Sequence, residues 1–119
     1  MKYCVHFIFY NKQLLLLKRK KSNPFFPNIW TPVIGKIKPN EQPIDAVIRE
    51  TKEETGLSIL KPKFVKHLSY EENIYWFYHS HTDSNAILLN HENDQFDFFE
   101  LSHLPQTLWP LFKEVAKEL

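Results

Sequence analysis

The sequence predicts an α/β (α+β) fold, a mixed β-sheet with helices packed on it. Three observations carry this expectation. Short apolar runs bounded by turn residues fill the segment up to Ile37, a charged stretch with a helical start and stop follows, and apolar runs return after it. The resulting order, β-β-β-α-β-β-β-α, sets helices against a sheet. A chain of 119 residues builds one core, so residues 1–119 read as a single domain.

Taken in order, Tyr3-Cys-Val-His-Phe-Ile-Phe-Tyr10 is apolar on both alternating faces, as in a strand covered on both sides. Asn11-Lys12 turns the chain. Gln13–Arg19 holds four consecutive leucines. Leu favours helices, but the shortness of the run and the turn before it make it a strand. Pro24 and Pro27 make 22–28 a loop. Trp30–Ile37 is extended, and Pro39-Asn40 turns it. Pro43 suits the first position of a helix, Asp45 places a negative charge in its first turn, and Gly56 suits its stop. Gln42 is a poor N-cap. Ser58–Tyr70 and Ile74–Thr82 read as strands joined at Glu71-Glu72-Asn73, and Phe96–Leu101 as another. After Trp109-Pro110, Leu111, Val115 and Leu119 recur at i, i+4 and i+8, the pattern of an amphipathic helix.

Composition excludes several classes. Lys and Arg number 15 against 14 Asp and Glu, a net charge of +1, which gives no electrostatic case for a dedicated nucleic-acid binder. Cys4 is the only cysteine, so an intramolecular disulfide and a Cys-based zinc site are both excluded. A reducing, cytoplasmic setting fits. No apolar run approaches the roughly 18 residues of a membrane span, and Tyr3–Tyr10, which contains His6, is short for a signal sequence. A monomer or a homodimer is expected.

The chain has two glycines, Gly35 and Gly56, where an average usage of about 7% would give about eight. A chain that does without glycine elsewhere needs it here for backbone reasons. Between them lies Arg49-Glu50-Thr51-Lys52-Glu53-Glu54. On a helix Glu50, Glu53 and Glu54 fall within an arc of roughly 100°, and Ile44, Val47, Ile48 and Thr51 fall on a different face that packs on the sheet. Three carboxylates so placed repel one another. A hard divalent cation neutralises them naturally, since Mg²⁺ takes oxygen ligands. The competing reading is a solvated face screened by Arg49 and Lys52.

The wider frame decides between them. Gly35, five residues, Glu41, seven residues, then Arg49-Glu50-Thr51-Lys52-Glu53-Glu54-Thr55-Gly56-Leu57 resembles the Nudix box, G-x5-E-x7-R-E-U-x-E-E-x-G-U, at every fixed position. Thr51 stands where an aliphatic residue is usual. The resemblance implies an α/β/α sandwich around a mixed sheet, and hydrolysis of a nucleoside diphosphate linked to another group. It implies that Glu50, Glu53 and Glu54 hold Mg²⁺ or Mn²⁺ with the Gly35 carbonyl as a further ligand. Glu53 or Glu54 would act as base toward water, Arg49 would orient the carboxylates and Glu41 would support them. Such chemistry suits a pyrophosphate, whose negative charge resists attack until cations neutralise it. Ile34 and Asn40 depart from the glycines that the family often carries; Asn tolerates the left-handed conformation.

Trp30-Thr-Pro-Val-Ile-Gly35 resembles the run before the box in asymmetric diadenosine tetraphosphate hydrolases and in bacterial dATP or dihydroneopterin triphosphate pyrophosphatases. Ile74-Tyr75-Trp76 and His91-Glu92 before an aromatic strand resemble the first of these, with Tyr75 near its marker tyrosine. The substrate so implied is a small-molecule nucleotide, a dinucleoside polyphosphate or a (d)NTP. Glu92 is a candidate extra acidic ligand or base, with an ordinary loop carboxylate as the alternative. Arg19, Lys36, Lys18 and Lys38 are candidates for phosphate contacts. Phe25, Phe26, Trp30 and Tyr75 are candidate stacking platforms. His79 and His81 share a strand face, but two ligands are too few for a zinc site. Rival readings are a nucleotide sugar or ADP-ribose as substrate, and a non-catalytic nucleotide-binding module. The module would have lost box carboxylates, and none is lost. An mRNA-decapping role would call for an RNA-binding surface, which the charge balance does not supply.

Overall fold

The structure is a computed structural model that describes residues 1–24 and 26–119; Phe25, read above as a stacking candidate, lies outside them. Its strands are β1 (Lys2–Tyr10), β2 (Gln13–Arg19), β3 (Trp30–Thr31), β4 (Val33–Lys36), β5 (Lys63–Tyr70), β6 (Asn73–His81) and β7 (Asn93–Phe99). Helix α1 spans Pro43–Thr55 and α2 spans Pro110–Lys117. The seven strands form one mixed sheet. β1 is its axis, parallel to β6 along one edge. Its other edge is shared: Phe9 and Tyr10 pair with β2, and Tyr3 to His6 pair with β4. Since β2 and β4 compete for one edge, the sheet forks, and β2 goes on to pair with β3 and β7.

Alternation along β1 sorts the core. Tyr3, Val5, Phe7 and Phe9 join Leu14, Leu16, Phe77 and the α2 residues Phe112, Val115 and Ala116. Cys4 joins Tyr78 and the α1 residues Ala46 and Val47, while Ile8 joins Leu15, Leu17 and Leu57. Both faces of β1 and β2 are therefore covered, which is why their sequences carry no polar alternation and why four consecutive leucines make a strand.

Several expected bounds shift for local reasons. The extended run Trp30–Ile37 is two strands, because Pro32 has no N–H to donate and the chain crosses there from β2 to β1. The strand expected from Ser58 starts only at Lys63, just after Pro62. The strand expected at 96–101 runs 93–99 instead, and Leu101–His103 forms a short 3-10 turn. The stripe Leu111, Val115, Leu119 is displaced: α2 buries Phe112, Val115 and Ala116, and Leu119 is exposed. Glu71 and Glu72 turn between β5 and β6 with positive φ. No helix among the described residues is long and apolar enough to cross a membrane.

Candidate active site

Helix α1 ends as its sequence implies. Gly56 takes the left-handed conformation at φ 79° and its N–H reaches the Lys52 carbonyl. At the start, Gln42 makes no side-chain cap. The turn before it is closed by Glu41, whose Oε1 accepts the Lys38 N–H at 3.0 Å, and by Asn40 at φ 66°.

The face that α1 lays on the sheet differs from the expected one. Val47 and Thr51 are buried as expected, but so are Glu50 and Glu54, at 8% and 0% exposure. Two of the three box carboxylates thus point inward rather than along a solvated face. Two features make room for this. Gly35 leaves the space in which the Glu50 carboxyl sits, and a Cβ there would collide with it. Thr51, in place of an aliphatic residue, hydrogen-bonds His6 Nδ1 at 2.7 Å, and His6 Nε2 meets Ser80 Oγ at 2.7 Å. His6 is fully buried, and burial pushes its pKa down to about 3, so the ring is a neutral hydrogen-bonding spacer between sheet and helix.

Arg49 collects the acidic groups. Its Nε and Nη2 donate to the two Glu41 oxygens, each at 2.8 Å. Nη1 donates to Glu50 at 2.8 Å and to Glu53 at 3.3 Å, and Nη2 also reaches the Lys36 carbonyl at 3.1 Å. The bidentate bond holds Glu41 at about 2, well below the ordinary carboxyl range. Glu53 is half exposed.

Glu54 has the opposite environment. Its Oε1 accepts a long bond, 3.5 Å, from Asn93 Nδ2, and its carboxyl lies within hydrogen-bonding reach of the Glu50 carboxyl. Its Oε2 and the Asn93 Oδ1 are buried and meet no donor among the described residues. Burial, and next the Glu50 carboxyl, hold its pKa well above the usual range; Glu92 adds to this and Arg19 offsets part of it. Burial raises Glu50 as well. Glu92 stands just before β7, with Oε2 3.7 Å from Arg19 Nη2.

Among the described residues no group of three or more His, Cys, Asp or Glu side chains is already arranged to hold a metal ion; Glu53 is turned to Arg49 instead. The donors are nonetheless those that a hard cation takes. Two adjacent buried carboxyls that resist ionisation, one with an oxygen that receives nothing, suit a divalent ion with oxygen ligands. The Gly35 carbonyl lies beside Glu50, on the strand that pairs with Cys4, and also receives a thiol contact from Cys4 at 3.6 Å.

A cleft of about 460 Å³ opens at the fork of the sheet. Glu50, Glu92, Arg19, Lys20 and Lys36 line it, with Gly35 and Ile34. Gly35, Lys36, Arg19 and Glu92 are thus gathered as candidates beside Glu50, but the aromatic candidates are not. Tyr75 is 2% exposed and packs on Tyr3, Trp109 and Phe112; it is a core residue of the α2 side with no face left for a base. Trp30 lies edge-on to Phe99 and Phe26 tilts on Trp109, both outside the described lining. Tyr75 faces α2 because strand alternation turns its neighbour Trp76 to the α1 side. His79 and His81 lie against each other, rings 6.2 Å apart. The sequence reading missed Asn93, His6 and Lys20. Only the place of Asn93 beside Glu92 hinted at it.

A family model described as "NUDIX domain" matches residues 2–119. The chain belongs to the NUDIX family. The fold agrees. A MutT protein from Methanosarcina mazei Go1 is similar with a TM-score of 0.90 and 21% identity, over 99% of this chain and 91% of that one. A C. elegans Ap4A hydrolase in a binary complex has a TM-score of 0.76 and 25% identity, over 98% of this chain and 93% of that one. The m7GpppN-mRNA hydrolase NUDT17 of Xenopus laevis is 47% identical over 49 residues, which are 41% of this chain and only 17% of that relative's length.

Proposed function

We propose that this NUDIX-family chain is a Mg²⁺- or Mn²⁺-dependent hydrolase that cleaves a pyrophosphate bond in a nucleoside polyphosphate, either a dinucleoside polyphosphate or a (d)NTP. One juxtaposition carries the reading: a buried pair of carboxyls, Glu50 and Glu54, beside a cleft edged by Arg19, Lys20 and Lys36. Anionic phosphates are attracted by the cations, and the carboxyls need a cation to ionise in place. The metal, when bound, neutralises phosphate charge and lowers the pKa of water. Glu50, Glu53 and Glu54 would hold it. Arg49 keeps the Glu50 carboxylate oriented, and Glu41 keeps Arg49 oriented. Glu53, the most exposed of the three box carboxylates, takes the proton from water. Arg19, Lys20 and Lys36 edge the cleft, so recognition runs through the charge of the phosphate chain.

The test is a substrate screen with the full chain in Mg²⁺, resolving products. ATP, dATP, diadenosine tetraphosphate, a capped dinucleotide, ADP-ribose and a nucleotide sugar would be compared. Turnover of a polyphosphate-bridged substrate, abolished by EDTA and by Glu53→Gln, is expected. Cleavage of ADP-ribose or the sugar alone would overturn the substrate class. Tight nucleotide binding with no product from any of them would make the chain a binding module.

A further inference from the structure

We propose that Asn93 is a positioning residue for Glu54, one that fixes which carboxyl oxygen faces a bound divalent cation. The inference rests on the metal reading given above. Asn93 is the first residue of β7, and its side chain is 2% exposed. A buried amide at a strand start on the sheet fork has no packing reason to be polar. Its Nδ2 donates to Glu54 Oε1 at 3.5 Å, a distance at the outer limit of a hydrogen bond. One Glu54 oxygen is thus engaged and the other, Oε2, meets no donor among the described residues. Asn93 Oδ1 is buried and also without a donor. Two buried oxygens with spare lone pairs therefore accompany one donated bond. Native interiors rarely leave such acceptors unsatisfied. Both oxygens would be open to a divalent cation, directly or through its water.

The side chain suits this task better than its relatives do. Asp in its place would add a further buried negative charge beside Glu50, Glu54 and Glu92. An apolar residue would take away the amide donor that engages Glu54 Oε1. Outer partners of metal ligands commonly change metal affinity or activity by about 10–100-fold when removed.

The experiment is direct titration of metal-stripped full-length chain with Mn²⁺, read by electron paramagnetic resonance of the free ion, alongside thermal melts in EDTA. Asn93→Ala is expected to weaken Mn²⁺ binding by about 10-fold or more, with its melt close to that of the unaltered chain. Asn93→Leu, which keeps the volume but no donor, should weaken binding likewise, and it carries the test if Asn93→Ala does not fold. In Mg²⁺ titrations of turnover, the metal needed for half-activation should rise more than the substrate KM. Unchanged Mn²⁺ affinity in folded Asn93→Ala or Asn93→Leu overturns the assignment. Glu54→Gln is the control. If it weakens Mn²⁺ binding and the Asn93 variants do not, only the role of Asn93 falls. If it too binds Mn²⁺ unchanged, the metal reading of Glu54 falls, and the role of Asn93 with it.

Discussion

Glu54→Gln should make the metal-free protein more stable and less active at once. Glu54 is fully buried, its Oε2 has no donor among the described residues, and the bond it accepts from Asn93 is 3.5 Å long. A buried acceptor left without a partner costs about 1–3 kcal/mol, and here the Glu50 carboxyl opposes ionisation as well. The Gln side chain keeps the shape, removes the charge and brings two N–H donors beside Glu50 and the undonated Asn93 Oδ1. A gain of about 1–3 kcal/mol in EDTA at neutral pH is expected. At about 4 °C per kcal/mol for a chain of this length, Tm should rise by roughly 4–12 °C, read by circular dichroism. The sign with pH follows from the direction of the shift. A carboxyl whose folded pKa is raised stabilises below its unfolded value and loses that contribution as pH rises toward the folded one. The variant's advantage should therefore be small near pH 4 and grow above the ordinary value of 4.5. Added Mg²⁺ should narrow the gap from the other side, since 100-fold excess over Kd stabilises the binding form by about 2.7 kcal/mol. A variant less stable than the unaltered chain in EDTA would refute the reasoning, for it would mean that the buried carboxyl is satisfied without a cation.

Four further outcomes are expected. Glu53→Gln should lower turnover by orders of magnitude while moving stability by less than about 1 kcal/mol, because its pair with Arg49 is half exposed; equal turnover would remove Glu53 from the reaction. Gly35→Ala should displace Glu50 and cost about 1–3 kcal/mol as an overpacked site, together with Mg²⁺-dependent activity; a neutral melt would contradict the close approach. His6, held near 3 against 6.5 when unfolded, is a depressed base, so stability falls as pH drops from 6.5 toward 3, by about 1.4 kcal/mol per unit. His6→Gln should flatten that part of the acid-melting curve. Tyr75→Ala should cost about 3–5 kcal/mol as an aromatic core deletion and leave the ratio of kcat/KM for diadenosine tetraphosphate to ATP unchanged, whereas a selective loss of the dinucleotide would return Tyr75 to the substrate.

The sequence alone determined the family and most of the order of elements, although Trp30–Ile37, read as one extended run, is two strands. Gly35, Glu41, Arg49, Glu50, Glu53, Glu54 and Gly56 sit at fixed spacings, and spacing along one helix and its preceding turn is local information. Gly56 could be placed as the helix stop because glycine enters the positive-φ region without steric cost. Apolar runs without alternation also showed that β1 and β2 would be covered on both faces. Tertiary structure decided what periodicity cannot carry. A carboxylate looks equally polar in sequence whether it meets solvent or a glycine across the sheet, so the inward turn of Glu50 depended on the space left by Gly35, a contact between residues far apart in the chain. Tyr75 and Trp76 were legible as opposite-facing neighbours, but which face met α2 and which met α1 was fixed only by the parallel pairing of β6 with β1. Asn93 reached Glu54 only because β7 pairs with β2 at the fork. Local chemistry is written in order along the chain, whereas the choice of which polar group is desolvated beside which other is made by the strands that bring them together.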